Sequence, residues 1–244
     1  MKAGGAVETP RAALPSDAMQ MKLQSDVRVL LIGASGGIGQ ALAAAFNGAD
    51  LTTLSRSADG LDITDEASVR RAAEGVEGPF NLIFDATGGL EIDGMGPEKS
   101  LADLTPEAME AQFRLNALGP ALLLKHFAPL LHREQRSVFA TLSARVGSIG
   151  DNRIGGWISY RAAKAALNQI VRTAAIEIGR KNKEAIVVAL HPGTVATDLS
   201  RQYLGSNASV SPEEAAANLF KVLHGLRRSH SGGFYDYAMK EVVW

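Results

Sequence analysis

The chain has 244 residues, a formal net charge of −1, 46% apolar and 21% charged residues, and no cysteine. This suits one α/β domain with a single core. The balanced charge leaves no footprint for nucleic acid. The absence of thiols excludes disulfides and cysteine-based metal or nucleophile chemistry, no metal site is expected, and no apolar run reaches bilayer-spanning length. A cytoplasmic protein without nucleic-acid or membrane partners is expected.

Residues 1–25 carry Glu8, Pro10, Arg11, Pro15 and Asp17 where a signal peptide needs a continuous apolar stretch. They read as a flexible tail, with the domain over residues 26–244. Val27 to Ile32 is an apolar, β-branched run that suits a parallel strand buried on both faces. It enters Gly33-Ala34-Ser35-Gly36-Gly37-Ile38-Gly39 and then a helical stretch from Gln40 to Phe46. Glycines at 33, 37 and 39 permit a tight turn, close backbone approach to a phosphate and close helix–strand packing. The helix start then offers free N–H groups to an anion.

Asp50 to Ser55 reads as the second strand, followed by Arg56. An acid at this strand end would accept from both ribose hydroxyls, whereas a base would pair with a 2′-phosphate. Arg56 beside Ser55, with no acid at the strand end, favours NADP(H) over NAD(H); the alternative is a solvated surface arginine. Leu61-Asp62-Ile63-Thr64-Asp65 follows too soon for a crossover helix. A very short third strand is expected there, with Asp65 or Thr64 capping a helix to about Gly75.

Phe80 to Phe84 reads as the fourth strand, ending in Asp85-Ala86-Thr87-Gly88-Gly89, where small residues would let a cofactor lie against the backbone. Glu91 to Leu104 looks like a surface loop. Thr105-Pro106-Glu107 has the cap, proline and acid of a helix start, and the helix is expected to run through Asn116 to about Leu131. Ser137 to Ser143 is the fifth strand, with Ser143 at its carboxyl end. Tyr160 and Lys164 lie four apart in a helical stretch and share a face. A nearby ammonium would lower the phenol pKa and make the pair a proton donor and acceptor. Ala185 to Leu190 is a sixth strand, leading to His191-Pro192-Gly193-Thr194-Val195-Ala196-Thr197. Residues 199–211 read as a possible lid, Ser211-Pro212 opens a last helix to about Arg228, and Gly233 to Tyr237 forms a seventh strand.

Gly33 to Gly39, Asn116, Tyr160 with Lys164, and Pro192-Gly193 followed by Thr197 stand in an order that resembles the short-chain dehydrogenase/reductase superfamily. The resemblance covers Val27 to the C-terminus. Gly94 to Ser100, Ser143 to Ser148, and the ending Tyr235 to Trp244 further resemble its C-factor-like branch, linked in some bacteria to cell–cell signalling. The resemblance implies Tyr160 as general acid toward a carbonyl oxygen, Lys164 on the nicotinamide ribose, a serine on the substrate oxygen, and Asn116 holding a water connected to Lys164. Gly33, Ser35, Gly37, Ile38, Gly39, Ser55, Arg56, Asp62, Ile63, Ala86, Thr87, Gly88, Pro192, Gly193, Val195 and Thr197 would join Tyr160 and Lys164 around the dinucleotide.

Two features depart from the family pattern. The fourth strand ends Asp-Ala-Thr-Gly rather than Asn-Asn-Ala-Gly. Counting back three residues from Gly147 reaches Ala144 rather than the usual catalytic serine; Ser143 re-aimed by a bulge is the candidate, the alternatives being Ser148, the substrate loop or weakened activity. The expected fold is one doubly wound domain with parallel strand order 3-2-1-4-5-6-7. The expected function is an NADP(H)-dependent oxidoreductase on a small carbonyl or alcohol, as a homodimer or homotetramer. The alternative is a nucleotide-binding signalling protein with vestigial chemistry.

Overall fold

The computed structural model describes residues 26–203 and 208–244. The expected tail, residues 1–25, lies outside them, as do residues 204–207 of the expected lid. Six segments form strands: β1 (Arg28–Ile32), β2 (Asp50–Leu54), β3 (Leu82–Asp85), β4 (Ser137–Leu142), β5 (Ala185–His191) and β6 (Phe234–Asp236). All neighbours pair in parallel, in the order β2-β1-β3-β4-β5-β6. The chain moves outward from β1 to β2 and then crosses back to β3. This is the reversal at which open α/β sheets bind ligands.

The continuous apolar runs are explained by helices on both faces. Leu30, Ile32, Ile83, Phe139 and Val187 pack against α3 (Glu66–Glu74), α5 (Gly119–Phe127) and α6 (Ile158–Lys181). Their strand neighbours Val29, Leu31, Phe84, Val138 and Val188 pack against α1 (Gly37–Ala45) and α7 (Pro212–Gly225). Alternate side chains therefore feed two separate cores.

The short third strand does not form. Arg56–Asp59 instead makes one helical turn, α2, closed by left-handed Gly60 (φ 67°). Leu61 N–H then donates to Ser55 O (3.3 Å) and Asp62 N–H to Ser68 Oγ (3.0 Å). With these donors spent, the segment has no ladder to join, and Asp65 caps α3 at once through Ala67 and Ser68 N–H. Leu61 and Ile63 remain buried as plugs of the core. The other six strands keep their expected order.

The long helix expected from Thr105 runs without interruption to Leu130, but its winding changes on the way. α4 (Pro106–Phe113) passes through a π-helical turn, Arg114–Leu118, into α5. Pro120 supplies the reason: it has no N–H for the Asn116 carbonyl four residues earlier, and its ring crowds that carbonyl. Such widened turns are common at functional sites.

Gly39 packs α1 against the β1 turn, and a Cβ there would collide with the Gly33 carbonyl oxygen. Gly39→Ala is expected to lower unfolding free energy by about 2–3 kcal/mol, measured by urea denaturation. A loss below about 0.5 kcal/mol would show that the turn can yield.

Candidate active site

The carboxyl ends of the strands gather the loops carrying most of the predicted residues. At β1, Gly33 is left-handed (φ 85°) and lies so near the β3 end that a Cβ would sit 2.9 Å from the Ala86 carbonyl carbon. α1 starts at Gly37 with no side-chain cap from Gly36. A Cβ on Gly37 would lie 2.8 Å from the Thr197 methyl. Thr197 therefore stands over the start of α1, and the loop after β5 closes on the loop after β1. An uncapped helix start beneath glycine backbone suits a pyrophosphate.

A cleft of about 820 Å³ continues from this cradle. Gly33, Ser35, Ser55, Arg56, Asp62, Ile63, Ala86, Thr87 and Gly88 line it. Gly37, Ile38, Gly39, Pro192, Gly193, Val195, Thr197, Tyr160 and Lys164 are outside that lining. A dinucleotide fits the residues present: a cradle where side chains would intrude, Arg56 at the β2 end, and Asp62–Ile63 as one wall.

The β2 end differs from expectation in one respect. The single turn of α2 returns Asp59 to the strand end, where its carboxylate accepts the Ser55 N–H (2.7 Å). Ser55 Oγ in turn accepts the Ala58 N–H (3.1 Å). An acid does stand there, delivered from four residues downstream. Asp62 accepts the Thr64 hydroxyl (2.7 Å) and N–H (2.8 Å). Those bonds, with a smaller contribution from Arg56, hold its carboxyl below the usual range.

Deeper in, Lys164 is 3% exposed and donates through Nζ to the Leu142 carbonyl (3.0 Å). Burial lowers its pKa to about 8, against the opposing attraction of Asp85. Asp85 is fully buried at the end of β3. It accepts the Thr141 hydroxyl (2.6 Å) and the Thr87 hydroxyl (2.5 Å) and N–H (2.9 Å), and burial raises its pKa despite these bonds. Asn116, in the π turn, donates to Gly89 O (2.8 Å) and to Gln112 Oε1 (2.7 Å), and accepts Gly89 N–H (3.2 Å). Its amide is bound to backbone at the β3 exit, and Gly88 sits between it and the Lys164 ammonium.

Tyr160 lies in the first turn of α6, its ring 5.8 Å from Lys164 Nζ. Trp157 meets that ring edge-on at 6.3 Å and Tyr203 at 5.7 Å. Burial pushes the phenol pKa up, opposite to the direction expected from a nearby ammonium. Desolvation outweighs attraction here because Nζ is turned to the Leu142 carbonyl.

Ser143 is not re-aimed by a bulge. Its N–H continues the strand ladder to Leu190 O (2.8 Å), and its hydroxyl donates to Asn168 Oδ1 (2.7 Å), two turns beyond Tyr160 on α6. Ser148 donates to the Val243 carbonyl and accepts the Asp151 N–H. Both hydroxyls are engaged away from the phenol, and Ala144 has none. After β5, Gly193 (φ 86°) abuts the Tyr237 ring, buried Val195 pairs with Val210, and Thr197 N–H donates to Val195 O (3.0 Å). Pro192 stands between His191 and this turn.

Sequence reading passed over Asp59, Gln112 and Asn168, the partners of Ser55, Asn116 and Ser143. Asp59 and Gln112 had a local signal, a spacing of four from Ser55 and from Asn116.

The sheet's switch point, the uncapped glycine loop, and the Tyr160–Lys164 pair at one edge define a single-domain nucleotide-binding oxidoreductase. A family model described as enoyl-(acyl carrier protein) reductase matches residues 33–223. A 1-hydroxy-2-glutathionyl-2-methyl-3-butene dehydrogenase of Rhodococcus sp. (strain AD45) is 32% identical over 225 residues, covering 84% of this chain and 94% of the relative. The C-signal protein of Myxococcus xanthus is 34% identical over 167 residues, 68% of this chain and 94% of the relative. The structure of NADPH-bound carbonyl reductase from chicken fatty liver superposes with a TM-score of 0.76 at 25% identity, covering 91% of this chain and all of that one. An NADP-bound short-chain dehydrogenase/reductase of Burkholderia multivorans gives 0.72 at 26% identity, covering 89% and 99%. The chain belongs to the short-chain dehydrogenase/reductase family.

His191 ends β5 with Nδ1 buried and unpartnered among the described residues. Burial and then the Arg145 charge lower its pKa to about 4, against Asp236. A depressed histidine leaves the unfolded chain binding more protons between pH 4 and the ordinary value of 6.5, so stability is full above 6.5 and lost as pH falls. This group is expected to remove about 2 kcal/mol between pH 7 and pH 5. His191→Gln should flatten that limb in denaturation midpoints; an unchanged limb would assign the loss to other groups.

Proposed function

We propose that the protein is an NADP(H)-dependent oxidoreductase acting on a small carbonyl or alcohol, with Tyr160 as its acid/base. The observation that carries this reading is the pairing on one face of α6 of a part-buried phenol with a buried ammonium, beside Gly88 and the carboxyl end of β4. When bound, the nicotinamide supplies or accepts the hydride. Tyr160 gives its proton to the carbonyl oxygen and takes it back in the reverse direction. Lys164 supplies positive charge beside the phenol and toward a ribose. Asn116 and Gln112 hold the Gly88–Leu90 turn in place beneath that region.

Ser143 acts from behind, through Asn168 on the seating of α6, and the substrate oxygen depends mainly on the phenol. The Arg56 guanidinium at the β2 end, and the NADPH- and NADP-bound relatives, support NADP(H) over NAD(H). Asp59 opposes an incoming phosphate there, which makes Arg56 the deciding charge. Exposed Phe113, Leu118 and Ile176 on the α4–α5 and α6 faces support a homodimer or homotetramer.

A second reading is favoured by one feature: the missing hydroxyl at position 144, with Ser143 turned to Asn168. It takes the chain as a nucleotide-binding signalling protein with weak chemistry, in line with its similarity to the C-signal protein. Tyr160→Phe separates the two.

Steady-state NADPH oxidation across aldehydes, ketones and diketones should fall by at least about 10³-fold in Tyr160→Phe, with the NADPH Kd changed less than about twofold. Retained turnover would remove Tyr160 from the reaction; no turnover in either chain would favour the signalling reading. The wild-type rate should fall as pH rises through about 8, where Lys164 loses its proton. Arg56→Ala should weaken NADPH binding by about tenfold or more while changing NADH binding less than about twofold. Equal losses, measured by fluorescence titration, would remove the NADP(H) preference.

A further inference from the structure

The segment Gly94–Ser100 takes no part in the proton transfer above, yet it reaches the start of the helix that carries Tyr160. α6 has no cap of its own. Its N-cap residue is Trp157, whose side chain makes no capping bond and whose backbone is left-handed (φ 53°). Two left-handed glycines, Gly155 (φ 71°) and Gly156 (φ 65°), precede it. A left-handed non-glycine residue costs about 1–2 kcal/mol, so something must hold Trp157 there.

Glu98 does so from the loop after β3. Its backbone carbonyl accepts the Trp157 N–H (2.6 Å). Its carboxyl group accepts the Ser159 N–H (3.2 Å) through one oxygen and the Ser159 hydroxyl through the other. Glu98 is only 6% exposed and Ser159 1%. A buried acceptor at a helix start satisfies donors that would otherwise be orphaned, and it faces the positive end of the helix. Tyr160 is the next residue along, and Trp157 packs on its ring. Since Ser143 and Ser148 are bound elsewhere, neither holds the phenol, and its place follows from the first turn of α6.

We propose that Glu98 is a positioning residue that caps α6 across the fold and thereby sets the Tyr160 phenol between the Trp157 indole and the Lys164 ammonium. The consequence for turnover rests on the reductase reading; the cap itself does not. The full chain is compared with Glu98→Ala and Glu98→Gln by amide hydrogen exchange of residues 158–161, by kcat on a carbonyl that the wild type reduces, and by NADPH Kd.

Glu98→Ala is expected to raise exchange in that first turn by about tenfold or more, with the rest of α6 unchanged. It should also lower kcat about 10- to 100-fold, with NADPH Kd within about twofold of wild type. Glutamine can accept the Ser159 N–H and donate to its hydroxyl, so Glu98→Gln should restore exchange and kcat to within about threefold. Wild-type exchange and kcat in Glu98→Ala would overturn the proposal, as would a Glu98→Gln chain as impaired as Glu98→Ala. If Glu98→Ala does not fold, Ser159→Ala removes one partner only: a local rise in exchange supports the cap, and no rise overturns it. A wild-type chain that turns over no carbonyl counts against the reductase reading, while exchange alone still decides the cap.

Discussion

Burying the Lys164 ammonium costs free energy unless polar groups replace its water, and the groups that do so set the layout of the active site. The Leu142 carbonyl, at the last residue of β4, is one of them. Asp85, at the last residue of β3, supplies the attraction. Asp85 is itself costly to bury and is held by Thr141 from β4 and Thr87 from its own turn. The ends of two adjacent strands and the second turn of α6 are thus tied to one another through a single charge. Loss of the ammonium would leave Asp85 buried without its nearest cation, so the pair is expected to stand or fall together.

The N-terminal half of α6 is stitched to the strand ends and to the loop after β3, with each stitch falling on a different turn. Glu98 holds the first turn through Ser159, Lys164 reaches Leu142, and Asn168 accepts from Ser143. Arg161 donates to the carbonyls of Val146, Gly155 and Gly156, gathering the preceding loop onto the helix. A buried bond on each successive turn removes the freedom of α6 to slide or rotate, and rigid placement is what proton transfer requires of a donor. Ser143 has become part of this scaffold rather than a group at the cleft.

What could be read from the sequence is what local pattern encodes. The runs Val27–Ile32 and Ala185–Leu190 are apolar throughout because the sheet is covered on both faces. Ser211 and Thr105 announce helix starts because capping is a bond between near neighbours. The third strand was overread, because a pattern of apolar residues does not reveal that Ser55 and Ser68 claim the backbone donors. The widened turn at Asn116 has a local cause in Pro120, but Asn116 also finds Gly89, 27 residues away. Glu98 was invisible as a cap because its partner is 61 residues distant. Asp85 looked like a change of motif, and its carboxyl group ties Thr87 to Thr141, 56 residues away. Long-range pairing of polar groups, unlike apolar period, leaves no mark in the local sequence.

The phenol is where sequence reasoning gave the wrong sign, and the correction bears on direction. A neighbouring ammonium lowers a phenol pKa only if the phenolate can use that charge better than water could. Here the ammonium is committed to a backbone carbonyl, and the ring is partly withdrawn from solvent among Trp157 and Tyr203. A phenol held above its ordinary pKa keeps its proton at every physiological pH. It is then always loaded to protonate a carbonyl oxygen, whereas the reverse reaction needs it to give that proton up first. In the proposed reaction the phenol would enter as the acid, and the reverse direction would need Lys164 Nζ drawn from Leu142 toward the phenol oxygen.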